Sequence, residues 1–243
     1  MQKTIAVIGA LEKEVALIND AIEHACVREE AGLTAVCGQL DDCQVVATTA
    51  GMGTVNAAAT TQYLITEYKA DVVLFSGIAG GLNPQLHISD VVVGNRLRYL
   101  DTDTKLIAES APGTEEYISD PKLVQLAEQV LAARGYVPAG ATDAGDKLQY
   151  LRGTIATGDR FVSGNDMKSA VIAATQADCV EMEGAAVAHI AAKNGVPCLV
   201  LRAISDNCDE AYDALSARTF DLETYAQSAS RIVLDIIARI AAA

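Results

Sequence analysis

Asp71-Val72-Val73-Leu74-Phe75-Ser76-Gly77-Ile78-Ala79-Gly80-Gly81 is the stretch that decides the fold. Four consecutive apolar residues between an Asp and a Ser leave no face for solvent. Such a run reads as a strand, Asp71–Ser76, inside a sheet covered on both sides by helices. The glycine-rich segment after it reads as a loop, where small residues serve either tight packing or a close approach of backbone N–H groups to a ligand. Working outward, Thr54–Tyr68 is an Ala-rich helix that starts after Gly51 and Gly53, and Asp90–Val93 with its continuation to Tyr99 is a further strand.

The same alternation runs along the chain. Thr4–Ile8 reads as a strand and Glu12–His24 as a helix; Leu33–Gln39 and Gln44–Thr49 read as an antiparallel pair around Asp41-Asp42. Asp120-Pro121 opens a helix to about Arg134, because Pro in the first turn loses no hydrogen bond. Arg152–Thr157 is a strand, Asp166–Thr175 a helix, Glu183–Asn194 a helix ended by Gly195, Pro197–Ile204 a buried strand, and Thr219–Ala241 a long helix. Between Thr102 and Ser119, and between Pro138 and Tyr150, the pattern fades into loops or flaps. The expectation is an α/β fold in one domain, residues 1–243, with a mixed central β-sheet surrounded by α-helices. With 51% hydrophobic residues, only 5% aromatic and no Trp, its core must be built from Ala, Val, Ile and Leu.

The net charge is −14, from 18 Lys+Arg against 32 Asp+Glu. That balance repels phosphate backbones and anionic lipid, so nucleic-acid and membrane partners are not expected and a small molecule is. No apolar stretch approaches the roughly 20 residues of a membrane span. Cys26, Cys37, Cys43, Cys179, Cys198 and Cys208 have no metal-ligand spacing and read as buried free thiols of a reducing compartment. With no secretory leader legible ahead of Thr4, the expected location is the cytoplasm.

Three carboxylate segments follow strands: Glu12/Glu14, Glu181/Glu183 and Asp206. Ligands of open α/β sheets gather where strand C-termini deliver loops. Each segment has a bland reading, as a helix N-terminal carboxylate, an N-cap or a turn residue; their coincidence at three strand ends is what points to chemistry. Phe161, after Gly158-Asp159-Arg160, could stack on a planar base or simply fill core. GxGxxG, GxxxxGK[ST] and GxSxG are absent, and His24, His87 and His189 have no nucleophile-like context, with His189 reading as packing. No metal-ligand set and no cofactor are expected.

Taken together, five segments resemble the nucleoside phosphorylase/nucleosidase family, and within it the methylthioadenosine/S-adenosylhomocysteine nucleosidases. They are Ile8-Gly9-Ala10-Leu11-Glu12-Lys13-Glu14-Val15, Gly77-Ile78-Ala79-Gly80-Gly81, Gly158-Asp159-Arg160-Phe161-Val162, Val180-Glu181-Met182-Glu183-Gly184-Ala185, and Val196-Pro197 with Arg202-Ala203-Ile204-Ser205-Asp206-Asn207. The resemblance implies a nucleoside phosphorylase-like fold and hydrolysis of an adenine nucleoside. By position, Glu14 matches the base that activates water and Asp206 the acid that protonates adenine N7. Glu183 matches the carboxylate that takes the ribose hydroxyls, and Met182 the side chain under the sugar. Phe161 would stack on the purine, the Val162 backbone would read its edge, Gly80 would line the base pocket, and Arg202 would lie beside the water. Ile78, Ala79, Glu181 and Ser205 also fall against the substrate in this match. A homodimer is implied, with Thr54–Tyr68 offering a close-packing face.

Glycosidic cleavage passes through an oxocarbenium-like state, so negative charge near the sugar and a proton for the departing base are what the reaction needs. The phosphorylase relatives carry a Gly-Asp-Pro-x-Arg-type segment after the first strand and an Arg before the Gly-rich loop. Gly9-Ala10-Leu11-Glu12 and Phe75-Ser76 stand there instead, and acidic Glu12 and Glu14 would repel phosphate. The expected nucleophile is therefore water. Two departures bear on the substrate: Ile78 replaces a usual Ser, and Tyr99–Leu106 replaces a histidine-containing segment that helps form the 5′ pocket. Another adenine nucleoside, aminodeoxyfutalosine-like, stays open as substrate, and a phosphate-dependent purine nucleoside phosphorylase is the more distant reading.

Overall fold

The computed structural model describes residues 2–110, 115–141, 145–209, 212–217 and 219–242. In chain order the elements are β1 (Thr4–Gly9), α1 (Glu12–Ala21), β2 (Glu23–Glu30), β3 (Leu33–Leu40), β4 (Cys43–Thr49), α2 (Thr54–Glu67), β5 (Val72–Gly81) and β6 (Val91–Tyr99). There follow α3 (Thr104–Ser110), β7 (Tyr117–Ile118), α4 (Pro121–Ala133), β8 (Val137–Pro138), β9 (Gln149–Thr157), α5 (Asn165–Thr175), β10 (Cys179–Glu181), α6 (Gly184–Asn194), β11 (Cys198–Asp206), α7 (Tyr212–Ala217) and α8 (Thr219–Ala241).

The strands form one mixed sheet in the order β10-β9-β6-β11-β5-β1-β4-β3-β2, with β7 on β6 and β8 on β9. β5 pairs in parallel with β1 and β11, whereas β11 and β6 run antiparallel. β10 lies parallel to β9 and also reaches β5, antiparallel, so the path β5-β11-β6-β9-β10 closes on itself. That closure places three chain segments at one point: Gly80 faces both Val180 of β10 and Asp206 of β11.

Period-two alternation sorts each central strand between two cores. Val73 and Phe75 of β5 join Ala6 and Ile8 of β1 and Val200 of β11 under Ala57 and Leu64 of α2 and the Ala-rich face of α6. Val72 and Leu74 join Ile5, Val7, Leu199 and Leu201 under α1, α4 and α8. Both faces are thus dry, which is why Asp71–Ser76 is uninterrupted by polar residues. Each fully buried Val, Leu, Ile or Phe contributes about 1.5–3 kcal/mol. α8 covers its face with Ile232, Val233, Ile236, Ile237 and Ile240, a spacing that keeps one helical stripe on the sheet.

The structure departs from the sequence expectations in several places, the short elements β10 and α7 among them. Gly77 to Gly81 is not a loop: β5 continues through Gly81 because Arg202–Asp206 of β11 pairs alongside. α1 ends at Ala21 rather than His24, since Ile22 turns to extended backbone (ψ 119°) and His24 has φ 53°. Edge strand β2 follows, exposed at every residue and so without the alternation that reveals a half-buried strand. The two fading segments hold α3, β7 and β8, while 111–114 and 142–144 lie outside the described residues. Of the cysteines, all free, Cys26 is exposed and Cys37 half-buried.

α4 is fastened by its cap. Asp120 accepts from the N–H groups of Lys122 (2.9 Å) and Leu123 (3.1 Å), two donors that a helix start otherwise leaves unpaired. Asp120→Ala is expected to lower unfolding free energy by about 1 kcal/mol, within the ~0.5–2 kcal/mol usual for a lost N-cap. Urea denaturation checks this, and an unchanged midpoint would count against the cap.

Candidate active site

A cavity of ≈ 210 Å³ opens where the closed end of the sheet meets the start of α1. Glu14 enters it from the first turn of α1, at 3% exposure. Leu11, the N-cap residue, has no side chain able to cap the helix, and Glu14 reaches back to do so. Its Oε2 accepts from the N–H groups of Ala10 (2.7 Å) and Leu11 (2.9 Å), and its Oε1 from Ile78 N–H of β5 (3.1 Å). Burial nevertheless raises its pKa; the Arg202 charge and the three N–H donors oppose that rise without cancelling it. Gly77 makes room for this arrangement: a Cβ there would stand 2.5 Å from Glu14 Oε1 and 2.8 Å from Arg202 Nη1.

Glu181 and Glu183 diverge. Glu181, the last residue of β10, binds the buried Arg202 guanidinium through Nε and Nη2 and accepts the Thr157 hydroxyl. It also accepts Gly184 N–H (2.7 Å) and Glu183 N–H (3.1 Å) at the start of α6. These donors fill the four or so lone-pair positions of a carboxylate. Glu181 reaches the cavity wall, but its carboxylate is spent on holding α6, β9 and β11 together. Glu183 instead accepts Gly53 N–H (2.8 Å), at the N-terminus of α2, where the helix dipole favours negative charge. Burial first, then the Glu181 charge, push Glu183 up to about 8 against the pull of Arg202 and the Gly53 N–H.

Arg202 is 1% exposed and does not line the cavity. Its guanidinium stacks 4.0 Å from the Phe75 ring centroid, behind the wall, with the Glu183 carboxylate 3.8 Å away. Burial would strip its proton, yet the charges of Glu181, Glu183 and Glu14 outweigh that and hold its pKa above the usual value. The residue therefore acts on the cavity through carboxylates rather than by contact.

Asp206, at the end of β11, is buried with Oδ1 accepting Cys208 N–H (2.8 Å) and Oδ2 against the Ser205 hydroxyl (2.8 Å). Ser205 Oγ also lies 3.2 Å from the Ala79 carbonyl. When Asp206 is ionised the hydroxyl can donate to it; when Asp206 carries a proton, the hydroxyl can accept and donate onward to Ala79. The pair can hold Asp206 in either state. Gly80 is required beside it, because a Cβ would come 2.5 Å from Cys208 Sγ and 3.1 Å from Asp206 Oδ1.

Ile78, Ala79, Gly80, Phe161, Val162, Met182 and Ser205 also line the cavity, so all the sequence-proposed site residues except Arg202 meet there. Glu12 is exposed and stands outside, leaving Glu14 as the one acidic residue of that pair that bears on the nucleophile. Sequence reasoning missed Met52, Cys208, Leu215 and Leu222, which complete the wall. Only Met52, between two glycines, and Cys208, two residues after Asp206, carried any local signal. His189 is packing as read: it stacks on Tyr117 (4.5 Å between centroids) and touches the Tyr99 hydroxyl. Among the described residues no group of His, Cys, Asp and Glu could hold a metal ion.

A sequence profile of the phosphorylase superfamily matches residues 4–238. A 5′-methylthioadenosine/S-adenosylhomocysteine nucleosidase of Shewanella halifaxensis is 35% identical over 211 residues, 84% of this chain and 86% of that protein. The solved structure of the like-named nucleosidase of Neisseria meningitidis, in complex with methylthio-immucillin-A, superposes with a TM-score of 0.85 at 30% identity, covering 97% of this chain and 98% of that one. Futalosine hydrolase of Helicobacter pylori superposes with a TM-score of 0.85 at 28% identity, covering 98% of each chain.

Glu183 makes the folded state pH-sensitive. Its carboxyl holds a proton more tightly when folded than in the unfolded chain, where the ordinary value is 4.5. The stability it contributes is thus present below pH 4.5 and lost as pH rises through about 8. Urea unfolding is expected to show stability falling across that window, with a shallower fall in Glu183→Gln. Glu14, also raised, accounts for a residual slope. Equal slopes in the two proteins would remove Glu183 as the titrating group.

Proposed function

The chain belongs to the phosphorylase superfamily, and we propose that within it the protein hydrolyses the N-glycosidic bond of 5′-methylthioadenosine, S-adenosylhomocysteine or both, releasing adenine. The observation that carries this reading is the meeting of Glu14, Glu183 and Asp206 in one cavity whose wall also holds Phe161 and Val162. The base lies at the buried end, on Phe161, with the Val162 backbone at its edge and Asp206 at N7. The sugar spans the carboxylates above Met182, with Glu183 on its hydroxyls. A protonated Glu183 offers one donor and one acceptor to that pair of hydroxyls.

Glu14 takes a proton from water as the oxygen attacks the anomeric carbon, and its raised pKa makes it the stronger base for that step. Asp206 gives its proton to N7, so adenine leaves neutral. The choice of water over phosphate is supported by the Glu14 contacts. The N–H groups of Ala10, Leu11 and Ile78 would suit an anion, but Glu14 already uses all three. An incoming phosphate would meet a carboxylate in place of donors. The likeness to futalosine hydrolase keeps a different 5′ substituent as a second reading. Product masses from a panel of adenine nucleosides separate the two.

Glu14→Gln and Asp206→Asn are each expected to lower kcat by about 10²-fold or more, the lower range for a lost acid or base. Asp206→Asn should recover most on a p-nitrophenyl riboside analogue, whose leaving group needs no N7 proton. Added phosphate should leave the wild-type rate unchanged. Accumulation of a ribose 1-phosphate would overturn the hydrolytic reading, and equal losses on both substrates would overturn the role of Asp206.

Assembly as a homodimer belongs to the same proposal. Met52, which lines the cavity, is 46% exposed and Val55, in the first turn of α2, is 77% exposed, an apolar pair left open on an acidic surface. A second copy covering this edge would also close the cavity. Light scattering is expected to give a dimer for the wild type, and Val55→Glu to shift it toward monomer with lower activity. A fully active monomeric wild type would refute it.

A further inference from the structure

Away from the cavity, the edge hairpin of the sheet brings two thiols together. β2 and β3 pair antiparallel, and Cys26 stands directly opposite Cys37. The register shifts between Glu23 and Cys26, where His24 has φ 53°, so this pair begins an unbroken run that ends at Glu30 and Leu33. Opposed residues of such a ladder have Cα atoms about 4.5 or 5.5 Å apart, and both spacings fall within the roughly 4.4–6.8 Å that a disulfide spans. Cys26 is exposed and Cys37 half-buried, whereas Cys43, Cys179, Cys198 and Cys208 are buried. Arg28, two residues along β2 and on the same face as Cys26, interacts with both thiols and lies 5.8 Å from the Tyr68 ring centroid. Burial pushes the Cys37 thiol up, and Tyr68 and the Arg28 charge oppose that rise.

We propose that Cys26, Cys37 and Arg28 form a reversible oxidation site, where a hydroperoxide converts the two thiols into a disulfide across the hairpin. Cys26, the exposed thiol, meets the oxidant first. Its thiolate attacks one peroxide oxygen: the S–O bond forms, the O–O bond breaks, and the other oxygen takes a proton and leaves as water, giving a sulfenic acid. The Cys37 thiolate then attacks that sulfur. The S–S bond forms, the S–O bond breaks, and the hydroxyl leaves with a proton as a second water. Two thiols lose two electrons in all, and one peroxide gains them. A cation beside thiols favours the thiolate, the form that attacks, and this is the part Arg28 plays. A disulfide on an exposed edge strand is of the readily reduced kind, so a dithiol returns the pair to its starting state. None of the three residues lines the cavity, so the proposal stands apart from the nucleosidase reading.

The test treats the reduced protein with hydrogen peroxide, blocks remaining thiols with iodoacetamide, and reads intact mass and a non-reducing peptide map. Wild type is expected to lose two hydrogens and to yield one linked peptide joining Cys26 to Cys37, both reversed by dithiothreitol. In Cys37→Ser, Cys26 should stop at the sulfenic acid, which a cyclic 1,3-diketone captures. In Cys26→Ser, Cys37 should stay reduced over the same interval. Arg28→Gln should slow the oxidation of Cys26 about two- to fivefold at low ionic strength, the scale of one exposed charge pair, and the difference should shrink as salt rises. The proposal is overturned if no linked peptide forms, if the bond joins Cys26 of two copies instead, if Cys37 oxidises as fast without Cys26, or if Arg28→Gln reacts at the wild-type rate.

Discussion

The pairing of Arg202 with Glu181 is the contact on which the rest of the site depends. A guanidinium taken out of water inside a strand is costly unless its charge is met, and here it is met by one carboxylate held at hydrogen-bond distance and a second at 3.8 Å. Glu181 in turn gathers the Thr157 hydroxyl and the first N–H groups of α6. One ion pair therefore joins β11, β9, β10 and α6. Removing one member of such a pair typically costs about 3–5 kcal/mol, whereas a well-packed apolar replacement of both can be neutral. The pair is better understood as a device of position and charge than as a source of stability. It fixes where α6 begins, and with it the Glu183 carboxylate.

Close approach is the second constraint. Gly77 admits Glu14 and Arg202 on one side of β5, and Gly80 admits Asp206 and Cys208 three residues later. Any side chain at either position would force the carboxylates apart or push β11 off its register. The glycine-rich segment is therefore a strand with no side chain at Gly77 and Gly80, so that other segments can crowd against it. No backbone freedom is needed for this, since neither glycine has positive φ.

Those two constraints explain what the sequence made legible. The central strands were readable because burial on both faces leaves an unmistakable apolar run, and α2, α4, α5, α6 and α8 because glycines, Asp120-Pro121 or long periodicity mark their ends. β2 was hidden because its residues are exposed on both faces, and β10 because three residues carry no period. Glu14, Glu183 and Asp206 could be picked out because carboxylates after apolar strands are unusual and their segments matched a family. The apolar wall could not: Leu215 and Leu222 are ordinary helix residues until the fold brings them to the cavity. Arg202 is the instructive case. The family match placed it beside the water, whereas its guanidinium is held by Glu181 and does not line the cavity.

Charge at the floor also bears on the choice of nucleophile. Three carboxylates, Glu14, Glu181 and Glu183, act on one guanidinium, and Asp206 lines the same cavity. They cannot all be ionised without mutual repulsion in a poorly solvated place, and protons settle where solvation is worst and donors fewest. Glu181 is saturated by donors and paired with Arg202. Glu183, with one backbone donor and Glu181 for a neighbour, is pushed up to about 8. Glu14 sets three N–H donors against full burial, and burial still raises its pKa. A neutral molecule enters such a floor at little electrostatic cost, and a dianion does not. On the hydrolytic reading proposed above, a positive charge growing on the sugar during bond cleavage would be stabilised there, and the same floor would disfavour an incoming phosphate.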